Sequence, residues 1–446
     1  MMTVQAKDSG QVALRGSIAH CLDDPDAGDG SFEYIEDGVL LVRDGCVERV
    51  GEAAQLLPLP EGVPLHDRRG QLIVPGFVDV HLHYPQTDMI GSHGAQLLEW
   101  LDTYVFPTEI RFADRDYAAD TAGFFLDELL RNGTTSALVL GTVHAHSVDV
   151  LFEAAQLRGM RLAAGKVMMD RNCPEALRDT PETGYRDSRA LLERWHGVDR
   201  LRYAITPRFA PTSTPAQLEM AGRLAAEHPD AYVHTHLAEN LNEVAWVAEL
   251  FPQARSYLDV YDRFGLVRER SVFAHSVHID EVDRARLGDS GATLAFCPSA
   301  NLFLGSGLFD LGAARACGAR VGLGTDVGAG TSFGMLQLIG QAYKVAQMGG
   351  QSIGPEQALY LATLGGARAL HIDDAVGNFA PGKEADFIVL DPAATPLLAR
   401  RCAAAGDWRE RLFALMTLGD DRAVAETFLQ GTSVHRRDGT GDADAG

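Results

Sequence analysis

The sequence predicts an α/β fold: a (β/α)8 barrel carrying a small β-rich domain drawn from both ends of the chain. Three observations predict it. Eight apolar, strand-like runs alternate with helical patterns through the middle of the chain, the signature of a repeated βα unit. Both ends instead hold strand patterns separated by turns. The length, 446 residues, suits a barrel of about 250 residues with appended structure.

In chain order, "YIEDGVLLVRDGCVERVG" at 34–51 reads as a hairpin, its two apolar strands flanking Asp44-Gly45, a favoured two-residue turn. The run Leu72, Ile73, Val74, Phe77, Val78 and Val80, ending at His83, is β-branched and aromatic and reads as one mostly buried strand. Further apolar strands are expected at 136–143, 161–168, 201–206, 231–237, 271–275, 293–296 and 321–325. Helical periodicity covers Tyr117–Leu130, Pro215–Glu227 and Asn242–Leu250. A doubly wound sheet competes with the barrel, but no G-x-G-x-x-G turn follows the first strand. Toward the C-terminus, "GNFAPGKEADFIVLDP" at 377–392 holds another buried strand, and "VAETFLQGTSVHR" at 424–436 a strand–turn–strand. The expected division is 1–71 for the N-terminal part of the small β domain, 72–375 for the barrel and 376–446 for the C-terminal part. The final "RRDGTGDADAG" has the composition of a disordered tail.

Bulk properties exclude several classes of function. A net charge of −22 repels phosphate backbones, so nucleic acid is not an expected partner. The six cysteines, Cys21, Cys46, Cys173, Cys297, Cys317 and Cys402, form no C-x-x-C pair and suit reduced thiols better than a disulfide framework. The opening "MMTVQAKDSGQVALRGS" has no apolar signal core, and no run reaches the length of a membrane span. A cytoplasmic protein without a membrane partner is expected.

The chemistry gathers at strand ends. In "PGFVDVHLHYPQ" at 75–86, alternation along the strand points His81 and His83 the same way, and imidazole is a common metal ligand. Barrel strands converge at their C-terminal ends on one mouth. The fifth strand ends "VHTHLAEN", with His234, His236 and Glu239; the sixth ends "FAHSVH", with His275; the eighth ends "GLGTDVGAG", with Asp326. A catalytic zinc keeps about three protein ligands and an open position. His144 and His146 of "VHAH", and the extra His234, are therefore expected in packing or in support of the ligands.

These stretches resemble the amidohydrolase superfamily and, within it, the guanine deaminases. The resemblance runs from about residue 70 to 390. It rests on "PGFVDVHLHYPQ" with "LLEWLDTYVFPTE" (97–109), "GKVMMDRN" (165–172), "TPRFAPT" (206–212), "THLAEN" (235–240), and "CPSANLFLGSG" leading into "GLGTDVGAG" (297–330). The H-x-H and terminal Asp motifs mark the superfamily. The Y-P-Q, L-E-W-L and T-P-R-F elements are more specific to guanine deaminases. The resemblance implies a distorted TIM-like (β/α)8 barrel with a small β-sandwich formed from both termini, a homodimer, and one Zn2+ per subunit, iron being the alternative metal. His81, His83, His236 and Asp326 would hold the ion, with His275 close to its water and a candidate further ligand.

The implied reaction is hydrolytic deamination of guanine to xanthine and ammonia. Metal-bound hydroxide attacks C2, Asp326 takes the water's proton, and Glu239 protonates N3 and passes a proton to the departing amine. His275 hydrogen-bonds the attacking water or the charge developing at C2. This is general acid–base work beside a metal, as in unrelated zinc deaminases. Some superfamily members bridge two metals with a carboxylated lysine, and Lys166 lies near a strand end. "GKVMMDRN" resembles the mononuclear pattern, however, which leaves Lys166 as a buried ion-pair or rim residue.

Recognition needs other groups. Arg208 offers a planar fork of donors suited to O6 of guanine, its other reading being a rim ion pair. Phe209 is placed to stack on the purine or to fill the core. Gln86 can read the edge near N3 and the 2-amino group, and Trp100 is a pocket wall or plain packing. His236 and Glu239 complete the expected substrate contacts. Another deaminase or chlorohydrolase of the superfamily, acting on cytosine, adenosine-like or triazine substrates, shares every metal residue and differs only at positions such as Gln86 and Arg208. A non-catalytic scaffold would have lost ligands that this chain retains. A cytidine-deaminase-type enzyme requires H-x-E and P-C-x-x-C, and neither is present.

Overall fold

The computed structural model of the chain describes residues 10–94 and 96–437, and its strands fall into two sheets. First come β1 (Gln11–Cys21), β2 (Phe32–Arg43), β3 (Cys46–Glu52) and β4 (Leu65–Pro75). They are followed by β5 (Phe77–His83), β6 (Thr134–Leu140), β7 (Arg161–Gly165), β8 (Val167–Met168), β9 (Leu201–Pro207) and β10 (Tyr232–Leu237). Next are β11 (Ser271–His275), β12 (Thr293–Phe296) and β13 (Arg320–Leu323), and last β14 (Phe387–Leu390), β15 (Val424–Leu429) and β16 (Thr432–Arg436).

The middle strands form a parallel path, β5-β6-β7-β9-β10-β11-β12-β13, with the short β8 paired to β9. Strands β5 and β6 are buried at every position, as parallel strands covered by crossover helices must be. The expected helices lie among these crossovers and start where side chains satisfy their free N–H groups. Asp114 caps Arg115–Arg131, Thr214 caps Pro215–Glu227, and Asn240 caps Leu241–Leu250. Barrel side chains feed two cores. Leu138 and Leu140 cluster with Val78, Val272 and Ala274, whereas Ala137 and Val139 pack with Phe125, Leu129 and Leu151 of the helices.

The barrel is drawn nearly closed by the segment leaving β13. The Asp326 N–H donates to His81 O at 2.9 Å, and the His83 N–H to Val327 O at 2.8 Å. Beneath them the buried Asp79 carboxylate accepts from the Thr325 N–H (3.1 Å), the Thr325 hydroxyl and the His81 N–H (3.2 Å). Burial pushes the Asp79 carboxyl up to about 7 against those hydrogen bonds.

Both ends of the chain build a separate seven-stranded mixed sheet, ordered β16-β15-β14-β4-β1-β2-β3. The β2–β3 hairpin turns at Asp44-Gly45, with φ of 52° and 81°, the positive values that a type I′ turn requires. β4 pairs antiparallel with β14, from Phe387 opposite Pro75 to Leu390 opposite Leu72, which joins the N- and C-terminal strands in one sheet.

The run read as a single strand over 72–83 is two strands. Leu72–Pro75 end β4 in the terminal sheet, and β5 begins at Phe77 in the barrel. Gly76 marks the crossing: a Cβ there would lie 2.1 Å from Thr135 Oγ1, and its N–H donates to Asp386 O. Both sheets bury the run, so hydrophobic patterning does not reveal the break. Among the described residues no helix is long and apolar enough to cross a membrane. Residues 1–9 and those from 438 onward lie outside the described residues; the tail expected to be disordered from Arg436 begins ordered, with Arg436 ending β16 and the Arg437 N–H donating to Ala425 O at 3.0 Å.

Candidate functional site

His81 and His83 close β5, His236 lies near the end of β10, and Asp326 follows β13. Each offers one ligand atom, and the four atoms lie within 4.8 Å of one another. His81 Nε2 and His83 Nε2 stand 3.2 and 3.3 Å from Asp326 Oδ1. His83 Nε2 is 3.1 Å from His236 Nε2. The backbone is bent to achieve this: Ala238, His275, Ser276 and Asp326 all have positive φ, from 47° to 71°. Such non-glycine residues cost about 1–3 kcal/mol each and gather at functional sites. Gly324 permits the close approach of β13 to β5, since a Cβ there would lie 2.9 Å from His81 Cβ.

The donor set fits a metal. His81 Nε2 is buried and has no hydrogen-bond partner among the described residues, although such a group normally costs about 1–3 kcal/mol unpaired. The opposite ring nitrogens of His81 and His236 are engaged, whereas His83 Nδ1 is buried without a partner among the described residues. His81 Nδ1 is 2.7 Å from His234 Nε2, and His236 Nδ1 lies 2.8 Å from the Arg208 carbonyl oxygen, positioned to donate to it. These contacts orient the rings and leave their Nε2 lone pairs for an ion, the usual support of histidine ligands. Burial holds the His83 imidazole down to about 3 and pulls His81, His234 and His236 below their ordinary values. Burial works to raise the Asp326 carboxyl, yet the His81 and His83 imidazoles beside it hold it well below the usual range. Neutral imidazoles with an ionised carboxylate are the states in which these groups bind metal.

Glu239 and His275 stand beside this group. His275 Nδ1 is 2.9 Å from Asn301 Oδ1, which accepts its proton and leaves Nε2 as the basic nitrogen. That Nε2 faces Glu239 Oε2 at 3.4 Å and Asp326 Oδ2 at 3.9 Å. The Ser306 hydroxyl donates to Glu239 Oε1 at 2.9 Å. Burial, with the Asp326 charge second, pushes the Glu239 carboxyl up to about 8. Behind it Glu243 is buried, accepts from the Glu239 N–H at 2.8 Å and from Tyr257 Oη–H at 2.7 Å, and is pushed up to about 7 by burial and by Glu239.

A cleft of about 390 Å³ opens onto these groups. It is lined by Gln86, Trp100, Arg208 and Phe209 together with His83, His236, Glu239 and Asp326. A larger cleft of about 810 Å³ lies between the terminal sheet and helix Trp408–Leu418. No metal-ligating cluster lies there among the described residues, so size does not identify the site.

Other sequence candidates fall outside the ligand group. His234 stands behind His81. His146 Nε2 lies 2.8 Å from Phe112 O, and His144 stacks on His146. Lys166 is buried, donates to Val167 O at 3.1 Å and pairs closely with Asp179. Arg208 is not at a rim: it is buried and paired with buried Glu109 at 2.8 Å. The sequence reading assigned no role to Asp79, Glu109, Glu243, Asn301 or Ser306. Asp79, Glu109, Asn301 and Ser306 all lie inside the recognised stretches, which is the signal that could have drawn attention to them.

Comparison with known proteins agrees with this architecture. The amidohydrolase family model matches residues 72–434. Guanine deaminase of Escherichia coli K12 is 52% identical over 429 residues, covering 95% of this chain and 98% of that protein. A solved structure of E. coli guanine deaminase superposes with a TM-score of 0.92 at 51% identity, covering 96% of this chain and 99% of that one. A guanine deaminase from C. acetobutylicum, solved with guanine in its active site, superposes at 0.86 with 28% identity, over 96% of this chain and all of that one. Matched along most of its length in both sequence and fold, the chain belongs to the amidohydrolase family.

Proposed function

We propose that this site hydrolyses guanine to xanthine and ammonia with one zinc ion per chain. The observation that carries the reading is the sharing of one cleft by the ligand group, Glu239 and the purine-reading side chains Arg208, Phe209 and Gln86. The similar proteins named above are guanine deaminases, and one of them holds guanine. Three imidazoles and a carboxylate suit zinc, and iron accepts the same donors. When bound, such an ion makes water a nucleophile near neutral pH by lowering its pKa to roughly 7.

The chain's own groups supply the rest. Ionised Asp326 accepts a proton from the attacking water. Glu239 gives its proton to N3 of the purine; of the two protons the water releases, first to Asp326 and then from the new C2 oxygen, one reaches the leaving amine through Glu239 and the other restores the Glu239 carboxyl. Ser306 fixes its Oε1, which leaves Oε2 facing His275 and the reacting atoms. Nε2 of His275 accepts a hydrogen bond from the water. Arg208 donates to O6, Phe209 lies on the ring face, Gln86 reads the N3 and amino edge, and Trp100 walls the cleft. On the same resemblance, and with all six cysteines free, we read the protein as a cytoplasmic homodimer with no nucleic-acid or membrane partner.

The test is ammonia release from guanine, adenine and cytosine at matched concentrations. Adenine would set an amino group against the Arg208 donors and leave both unpaired, at about 1–3 kcal/mol or more for a charged donor. Guanine is therefore expected to exceed adenine and cytosine by at least roughly tenfold in kcat/KM. Faster turnover of adenine or cytosine sinks the reading.

A further inference from the structure

The buried Glu109 carboxylate joins both side chains expected to read the purine. Its two oxygens accept from one guanidinium nitrogen, Arg208 Nη1, at 2.9 and 2.8 Å. Its Oε1 also faces Gln86 Nε2 at 3.4 Å. Gln86 Oε1 in turn faces the Gly328 N–H at 3.3 Å, so a carboxylate on one side and a backbone donor on the other fix which way the amide points. Glu109 is fully buried and Arg208 nearly so.

The pairing is one-sided in a useful way. Because both carboxylate oxygens take Nη1, Arg208 Nη2 and Nε have no acceptor among the described residues, while the side chain lines the cleft. A buried guanidinium needs an anionic partner to stay in place, and this partner leaves two donors for a ligand. Phe106, from the same helix as Glu109 (Phe106–Ile110), sits under the guanidinium, with Arg208 Cζ 5.6 Å from its ring centroid. That helix continues the segment Leu97–Val105, whose Leu97, Trp100 and Leu101 wall the cleft. One stretch of chain thus shapes the cleft wall and anchors the residue that reads its occupant.

We infer that Glu109 is a positioning residue for substrate specificity: through its two bonds to Arg208 it holds the guanidinium in the orientation that recognises the 6-oxo group of a 2-amino-6-oxopurine. The inference rests on the guanine reading above, in which Arg208 donates to O6. It makes no contact with the reacting atoms and needs none.

The experiment compares guanine with 2-aminopurine, which has the same skeleton and amino group but no O6. Binding of 2-aminopurine is read from its own fluorescence, so it need not be turned over. In Glu109→Gln, KM for guanine is expected to rise roughly 10- to 100-fold, the loss typical of a charge-assisted contact. The Kd of 2-aminopurine stays within about threefold and metal content stays at wild-type level. Glu109→Asp keeps the charge, so the buried Arg208 remains paired and the fold is protected. It gives the same guanine-selective loss at smaller size. An equal loss for both purines in either variant, or no loss for guanine, overturns the positioning role. Arg208→Ala separates the two layers of the argument. If it leaves the guanine-to-2-aminopurine preference unchanged, the reading of Arg208 itself fails, whatever Glu109 does.

Discussion

Glu239 shows at the scale of one residue how surroundings set a chemical role. Burial and the nearby Asp326 charge favour its protonated form, the state that can deliver a proton to a ring nitrogen. Glu239→Gln keeps the size and much of the hydrogen bonding, including the contact with Ser306, and removes only the proton shuttle. Metal content and guanine binding are expected to persist while turnover falls by at least roughly 10²–10⁴, measured by ammonia release beside metal analysis. Near-normal turnover would move the proton relay to another group. The clustered residues were legible because each stands at or just past the end of a strand: His81 and His83 share a face of β5, His236 lies near the end of β10, and Asp326 follows β13. Glu109, Asn301 and Ser306 were not, because their roles come from partners far away in sequence. Glu109 meets Arg208 across 99 residues and Ser306 meets Glu239 across 67. No local spacing encodes such a meeting.

Among the elements, the terminal sheet depends on a buried carboxylate. Glu426 on β15 accepts from Ser433 (2.6 Å) and Arg436 (2.8 Å) on β16, and from Arg68 (3.0 Å) on β4. Burial works to raise its carboxyl, but these donors hold it below its ordinary value. A depressed carboxylate contributes stability above its unfolded-state pKa, about 4.3, and loses it as pH falls through the folded value. Glu426→Gln is therefore expected to lower the urea midpoint at pH 7, by about 1–3 kcal/mol of stability, and to flatten the fall in stability between about pH 5 and 3. An unchanged acid slope would remove Glu426 from that account. The same sheet shows where sequence reading stopped. The eight barrel strands, the Asp44-Gly45 hairpin and the C-terminal strands could be read from apolar runs, alternation and turn residues, whereas β1 (Gln11–Cys21) was not among the strands expected. The split at Gly76 could not, because apolar residues on both sides are buried, by one sheet before it and another after it. What divides them is contact with Thr135 and Asp386, 59 and 310 residues later.

For the whole molecule, closure of the barrel and assembly of the site are one event. The proposed ligands come from the first, fifth and eighth barrel strands, and the backbone hydrogen bonds from Asp326 and His83 that draw β5 to the segment after β13 also position two of them. An ion bound only by the folded chain stabilises it by mass action, so metal, fold and activity are expected to rise and fall together. Lys166, locked to Asp179, is not placed to bridge a second ion. The most direct measurement is a titration of metal-depleted protein with zinc, following ammonia release from guanine and bound metal in parallel, for the wild type and for His81→Ala. Activity is expected to rise in proportion to bound zinc and to saturate at about one equivalent per chain, with His81→Ala losing both metal and activity. Saturation near two equivalents, or guanine turnover that does not follow bound metal, would contradict a single ion held by His81, His83, His236 and Asp326.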